Sequence, residues 1–319
     1  MDVLEIAWRV IAPIFLMMGS GWLLQKRLGL DVGSLTRLNF WIFVPALLWV
    51  KIVDSPLAAP DLWRIAAHFC LLFATMGALS WFAARWVEAE NGNGRLKRAL
   101  TASVLFYNSG NYGIPVAQLA FGPSAVALQF AVAVQAIVMM LQNITNFTIG
   151  LALHAGGRPD STARQTLSAV FKLPMIYTLV AAWTWRWMAA RWSLHLPIPV
   201  DVALHFGADA LVPIALITLG AQMALLKSAR LTPAIGLACF GRLIIGPALS
   251  WAFVSVLQIH GALAQSLIVS ASFPTAVNSA LLALEFDNEA DFAAATVFYS
   301  TLFSAVTVSL VIFLAKLWA

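Results

Sequence analysis

Charge is scarce in this chain. Only 10% of its 319 residues are Asp, Glu, Lys or Arg, against about 25% in an average soluble domain, so a conventional water-facing surface is excluded. Cysteine is scarcer still. Cys70 and Cys239 both sit in apolar runs, which rules out a disulfide framework and a cysteine-based zinc site and leaves packing as their role. No HExxH, GxSxG or aspartate-rich metal motif occurs, and His68, His154, His195, His205 and His260 are scattered. An intramembrane enzyme would need such a catalytic set, so the expectation is a protein that is no enzyme and has neither cofactor nor metal. A basic leader is missing too, since Asp2 and Glu5 stand where its positive charges would be, and the first apolar segment reads as a retained span. The 19 Lys and Arg exceed the 14 Asp and Glu. In a soluble chain that excess would hint at nucleic acid; in this one it reports topology, and no nucleic-acid partner is expected.

Apolar surface is what the chain has in quantity: 61% of its residues are hydrophobic and its mean hydropathy is +0.85. At about 20 residues per span, ten spans fit and leave enough chain for ends and connections. Windows between charged or turn-rich breaks predict helices near 6–24, 35–53, 63–87, 96–120, 123–153, 167–190, 202–226, 233–257, 262–284 and 291–317. This is an all-α polytopic membrane protein. Lys26 and Arg27, then Arg95, Lys97 and Arg98, then Arg158 and Arg164, then Lys227 and Arg230 fall on one side of the arrangement. That side holds 12 of the 19 Lys and Arg and the opposite side 6, with Arg242 inside a span. The basic side is expected to be cytoplasmic, which places both termini outside. Trp8, Trp22, Trp63, Trp86, Trp192 and Trp318 lie near predicted helix ends, as in an interfacial belt.

Prolines repeat in order through the two halves. Pro13 pairs with Pro174, Pro45 with Pro213 and Pro115 with Pro274, at offsets of 161, 168 and 159 residues. The expected organisation is a first five-helix repeat over 1–153, a short cytoplasmic connection over 154–166 and a second repeat over 167–319. Because each half has an odd number of spans, the second is inverted relative to the first, the plan of many secondary transporters.

The fourth span contains Tyr107-Asn108-Ser109-Gly110-Asn111-Tyr112-Gly113-Ile114-Pro115, a poor interior for a helix. The ninth repeats the device with Ser270-Ala271-Ser272-Phe273-Pro274-Thr275-Ala276-Val277-Asn278. Both helices are expected to break, with Pro115 at the first position of a new half-helix. Irregular backbone at membrane depth must line a cavity or be buried in protein. Two half-helix N-termini, each worth about +0.5 charge, would then meet near the midplane and favour an anion. Asn108, Ser109, Asn111, Thr275 and Asn278 are the candidate substrate contacts, and Gly110, Gly113, Pro115 and Pro274 the crossover residues. Gln129, Gln135, Asn143 and Asn146 in the fifth span read as interhelical glue.

The segments FWIFVPALLWVKIVDSP (40–56), FYNSGNYGIPVAQLAFG (106–122), ADALVPIALITLGAQ (208–222) and SFPTAVNSALLALEFDNEADFAAATVFYSTLFS (272–304) resemble the auxin efflux carrier family, in particular its short bacterial members. The resemblance implies ten helices in two inverted repeats, crossing fourth and ninth helices, a scaffold and a transport domain each drawn from both repeats, elevator-type movement, and dimerisation through the scaffold. It also gives Asn108 the role of contacting the substrate's carboxylate. The short connection at His154–Thr166 replaces the long loop of plant members, and bacterial relatives point to small dicarboxylates such as malonate or malate rather than auxin. The implied location is a bacterial inner membrane.

Ionisable groups inside spans are functional candidates. Asp209 and Arg242 are expected either to pair or to serve as proton or substrate groups, and His68 can titrate near neutrality and is a proton-coupling candidate. The acidic run of Glu285, Asp287, Glu289 and Asp291 reads as a solvated loop. Sodium coupling, as in bile-acid symporters, would want carboxylates at the crossings, and no Glu lies there. The leading expectation is therefore a secondary carrier for a small organic anion, ahead of a non-transporting receptor with the same fold or a sodium-coupled symporter.

Overall fold

The computed structural model describes residues 2–54, 57–87, 94–121, 125–155, 174–226 and 230–318. Most of the predicted 154–166 connection and the predicted start of the sixth span lie outside them. In chain order the helices are α1 (Val3–Leu28), α2 (Val32–Val53), α3 (Pro60–Trp86), α4 (Arg95–Leu105), α5 (Gly113–Ala120), α6 (Ala127–Ala155), α7 (Pro174–Trp192), α8 (Ile198–Leu225), α9 (Pro233–Val256), α10 (Gly261–Ser270), α11 (Val277–Glu285) and α12 (Ala290–Trp318). Seven of these, α1, α2, α3, α6, α8, α9 and α12, are long and apolar enough to cross a membrane. No strand occurs among the described residues; the one β-type pairing is an isolated antiparallel bridge between Tyr107 and Thr275.

Proline shapes several helices. Pro13, Pro45 and Pro247 each lie just after a π-helical turn, at Ala7–Ile11, Asn39–Phe43 and Gly241–Ile245. A proline ring clashes with the carbonyl one turn earlier and donates no N–H, and a widened turn relieves both conflicts without ending the helix. Some helix starts are capped by side chains. Asp31 accepts from the Ser34 N–H, and Thr232 from the Ile235 N–H.

The helices pack in two groups. In the first, α8 lies against α1 and α2, and α7 against α2. A Cβ at Gly220 would run into the Met18 backbone and one at Gly21 into the Ile217 backbone, so α1 and α8 touch main chain to main chain, as small residues permit in membrane helix pairs. The second group gathers α3 to α6 with α9 to α12. Its centre is α6, 67% buried over its most apolar window where α1 is 28% buried. Leu16, Trp8, Trp63 and Trp86 instead point outward from α1 and α3, which suits lipid contact and an interfacial belt.

Candidate functional site

The chain between α4 and α5 and the chain between α10 and α11 meet inside the second group. The Asn108 N–H donates to the Pro274 carbonyl at 2.8 Å, and the Ala276 N–H to the Phe106 carbonyl at 2.8 Å. Two interrupted helices are thus joined by a short antiparallel ladder where each lacks its own helical bonds. The remaining main-chain groups are satisfied from neighbouring helices. Gln135 and Gln142 on α6 donate to the Ser109 and Leu105 carbonyls at 2.8 and 3.3 Å. Thr275 donates through its hydroxyl to the Ser103 carbonyl at 2.8 Å, while its N–H is taken by the Ser300 hydroxyl at 3.1 Å. Buried irregular backbone costs several kcal/mol per unpaired group in a membrane, roughly, and this local pairing removes most of that cost.

Gly113 starts α5 because nothing larger fits: a Cβ there would lie 2.6 Å from the Gln135 amide nitrogen and 2.8 Å from the Phe273 ring. The Tyr112 ring stands edge-on to Phe273 at 5.8 Å between centroids and its hydroxyl accepts from Ser304 at 3.0 Å. Pro115 is the third residue of α5, not the first. A missing N–H is harmless anywhere in a first turn, so the proline tolerates the break while Gly113 permits it. Pro274 does not open a helix at all. It lies in the extended segment before α11 and serves through its carbonyl.

Beside this junction is a cavity of about 50 Å³ between the two helix groups, room for a few waters or a small carboxylate, at about 10–15 Å³ per water. Asn108, Ser109, Gly110 and Asn111 line it from one break and Ala276, Val277 and Asn278 from the other. Thr275, expected as a substrate contact, does not line it and is fully buried in the bonds just described. The Asn108 side-chain oxygen accepts from the Tyr112 N–H at 3.3 Å, and its Nδ2 donates to no acceptor among the described residues. The N–H groups of Gly113 and Ile114 are occupied by the Asn108 and Gly110 carbonyls. The first half-helix therefore offers few free donors. At the second, the Val277 and Asn278 N–H groups make no hydrogen bond to another described residue, so the expected pair of open N-termini reduces to one open end and one amide.

The sequence reading missed more than half of the polar lining. Thr36 and Asn39 on α2, Gln142, Asn143 and Asn146 on α6, and Gln222 on α8 also face the cavity. Asn143 and Asn146 were expected to be interhelical glue. Asn143 bonds within its own helix, to the Met139 carbonyl at 2.9 Å, and across to the Met175 sulfur on α7 at 3.8 Å, but the side-chain oxygens of Asn39, Asn146 and Gln222 are buried with no partner among the described residues. Polar residues recurring on one face of a buried helix were the available signal. Among the described residues no Asp, Glu, Lys or Arg lines the cavity.

The expected ionisable set is not brought together. Asp209 is exposed on α8 and makes no ion pair with Arg242. Arg242 is instead 1% exposed and donates to the Val104 carbonyl at 3.0 Å and to the Ala271 carbonyl. His68 is held by the Ser250 hydroxyl at 2.9 Å, away from the cavity. In the acidic run, Asp287 is exposed and pairs with Arg95 at 3.1 Å.

The family model described as membrane transport protein matches residues 7–166 and 158–312. The chain belongs to this family. These are the auxin efflux carriers that the sequence resembles, and this member is a multi-pass membrane transporter and not an enzyme. It is 25% identical over 320 residues to a protein of Rhizobium meliloti (strain 1021) named "Putative malonate transporter", covering 96% of this chain and 95% of that one. It is 26% identical over 283 residues to an "Uncharacterized transporter" of Methanothermobacter thermautotrophicus, with 88% of each chain covered.

Proposed function

We propose that this auxin efflux carrier family member is a secondary carrier for a small organic anion, a carboxylate, and that the cavity beside the bridged breaks is its binding site. The observation that carries the reading is the cavity's composition: carboxamides, hydroxyls and one open helix N-terminus, with no fixed charge among the described lining residues. Such a lining donates to a carboxylate without holding it so tightly that release fails, and the open N-terminus adds about half a positive charge. Asn108, Ser109, Asn111 and Asn278 contact the substrate; Gly110, Gly113, Pro115 and Pro274 keep the crossover in shape.

The two packing groups supply the moving parts. The α1, α2, α7 and α8 group is the scaffold, and the group with both broken helices is the transport domain, which slides against it in an elevator-type cycle. Counting each broken pair as one, the helices make ten spans in two inverted five-helix repeats, in a bacterial inner membrane with both termini outside. The exposed scaffold face bearing Trp41 and Tyr177 suits a homodimer. Proton coupling is the favoured drive and sodium the less favoured one. The malonate in the relative's name makes that acid the first substrate to try. In proteoliposomes, labelled malonate or malate should enter saturably and exchange against unlabelled acid inside. Tight binding without counterflow, or no uptake of any mono- or dicarboxylate, would overturn the proposal.

A further inference from the structure

Arg242 has a place in the fold that neither its expected partner nor the cavity explains. It lies in the π-helical turn Gly241–Ile245 of α9 and is buried. One guanidinium nitrogen bonds the Val104 carbonyl near the end of α4, the other the Ala271 carbonyl at the end of α10. The same group lies 4.6 Å from the Tyr107 ring centroid, on the residue that forms the bridge to Thr275. Among the described residues no carboxylate pairs with it, and its Nε is buried without a partner. Gly246 leaves the space it needs, since a Cβ there would lie 2.6 Å from the guanidinium.

Two helix C-termini converge on this one cation. Each carries about half a negative charge, so together they would place about one negative charge beside the anion site. A cation is required there, and it can be fixed or mobile. We propose that Arg242 is the fixed counter-charge of the crossover: it neutralises the C-terminal ends of α4 and α10, so the substrate anion meets the one open helix N-terminus without opposing negative helix ends and needs no bound metal cation at this place. Arg242 is a positioning residue; it does not touch the cavity. The inference rests on the carrier reading for its link to substrate, but its local claim stands separately.

The test is chemical rescue. Arg242→Ala in proteoliposomes should lose at least about tenfold of malonate uptake, as expected for a buried charge-assisted donor. Guanidinium ion at millimolar concentration should restore a measurable part, while urea, of the same shape without the charge, should not. Arg242→Lys should keep partial activity, because a point charge cannot span two carbonyls as a planar fork does. Wild-type uptake should be equal in sodium and choline buffers. In detergent, guanidinium should raise the melting temperature of Arg242→Ala and not that of the wild type. This last readout needs no transport, so a wild type that moves no acid sinks the carrier reading while the thermal shift still decides the fixed-cation claim. Wild-type uptake by Arg242→Ala, equal rescue by urea, sodium-dependent wild-type uptake, or no thermal shift by guanidinium would overturn it.

Discussion

The backbone of Asn108 is fixed to Pro274 by a 2.8 Å hydrogen bond while its side chain turns the other way, its oxygen capping the Tyr112 N–H at 3.3 Å. One residue thus ties the two breaks together and lines the cavity with an amide whose donor has no partner among the described residues. The two tasks separate by substitution. Asn108→Asp keeps the capping oxygen but puts a buried negative charge where the donor was, so it should lose carboxylate binding and melt below the wild type by the cost of burying that charge. Asn108→Ala loses both, with about 1 kcal/mol from the cap and about tenfold or more in apparent KM from the lost donor. Melting curves and uptake kinetics on both variants check this; uptake by Asn108→Asp at the wild-type rate would remove the residue from the site.

Asn146 makes the opposite forecast for stability. Its oxygen is buried with no partner among the described residues, and an unsatisfied acceptor costs on the order of 1–3 kcal/mol. Asn146→Ala should therefore melt at or above the wild-type temperature yet take up substrate several-fold more slowly. Gln142→Ala should melt lower, because it strands the Leu105 carbonyl. Unchanged uptake by Asn146→Ala would return that residue to a packing role.

These two residues also mark what the sequence could show. The break at Asn108 was legible because Gly, Asn and Pro crowd nine consecutive positions and no regular helix tolerates that. The long spans were legible from hydropathy, and the described helices fall close to the predicted windows. Asn39 and Gln222 were not, since a lone amide in an apolar helix looks the same whether it faces a neighbour or a cavity; Asn146 belongs to a recurring polar face of α6, but only the packing of α2, α6 and α8 tells that this face meets a cavity. Arg242 failed for a related reason. Its expected partner was sought among carboxylates, whereas helix ends supply partial negative charge that no side-chain pattern reveals.

Gly113 is a steric requirement of the crossing. Gly113→Ala drives a methyl group into Phe273 and Gln135 and should cost about 1–3 kcal/mol by overpacking. Most of that should return in the double variant with Phe273→Ala, since the two sites share one contact and their effects do not add. Thermal unfolding of the two single variants and the double variant measures the coupling, and strict additivity would mean that the clash is relieved elsewhere.

At the end of α2, Asp54 gives a dependence on pH. Burial raises its carboxyl above the ordinary range, and His205, 3.9 Å away, and Lys51 only partly oppose that. A raised carboxyl means that the folded chain binds the proton more tightly than the unfolded one. Its favourable contribution is therefore complete at low pH and is lost as pH rises through the raised value. Asp54→Asn, neutral throughout, should match the wild type near pH 4 and melt slightly higher at pH 7.5. The gain stays under about 1 kcal/mol because the side chain is partly exposed and screened. Melting temperatures of the pair, read every half unit across that range, should diverge as the pH climbs; a constant gap would mean that the carboxyl bears no burial penalty there.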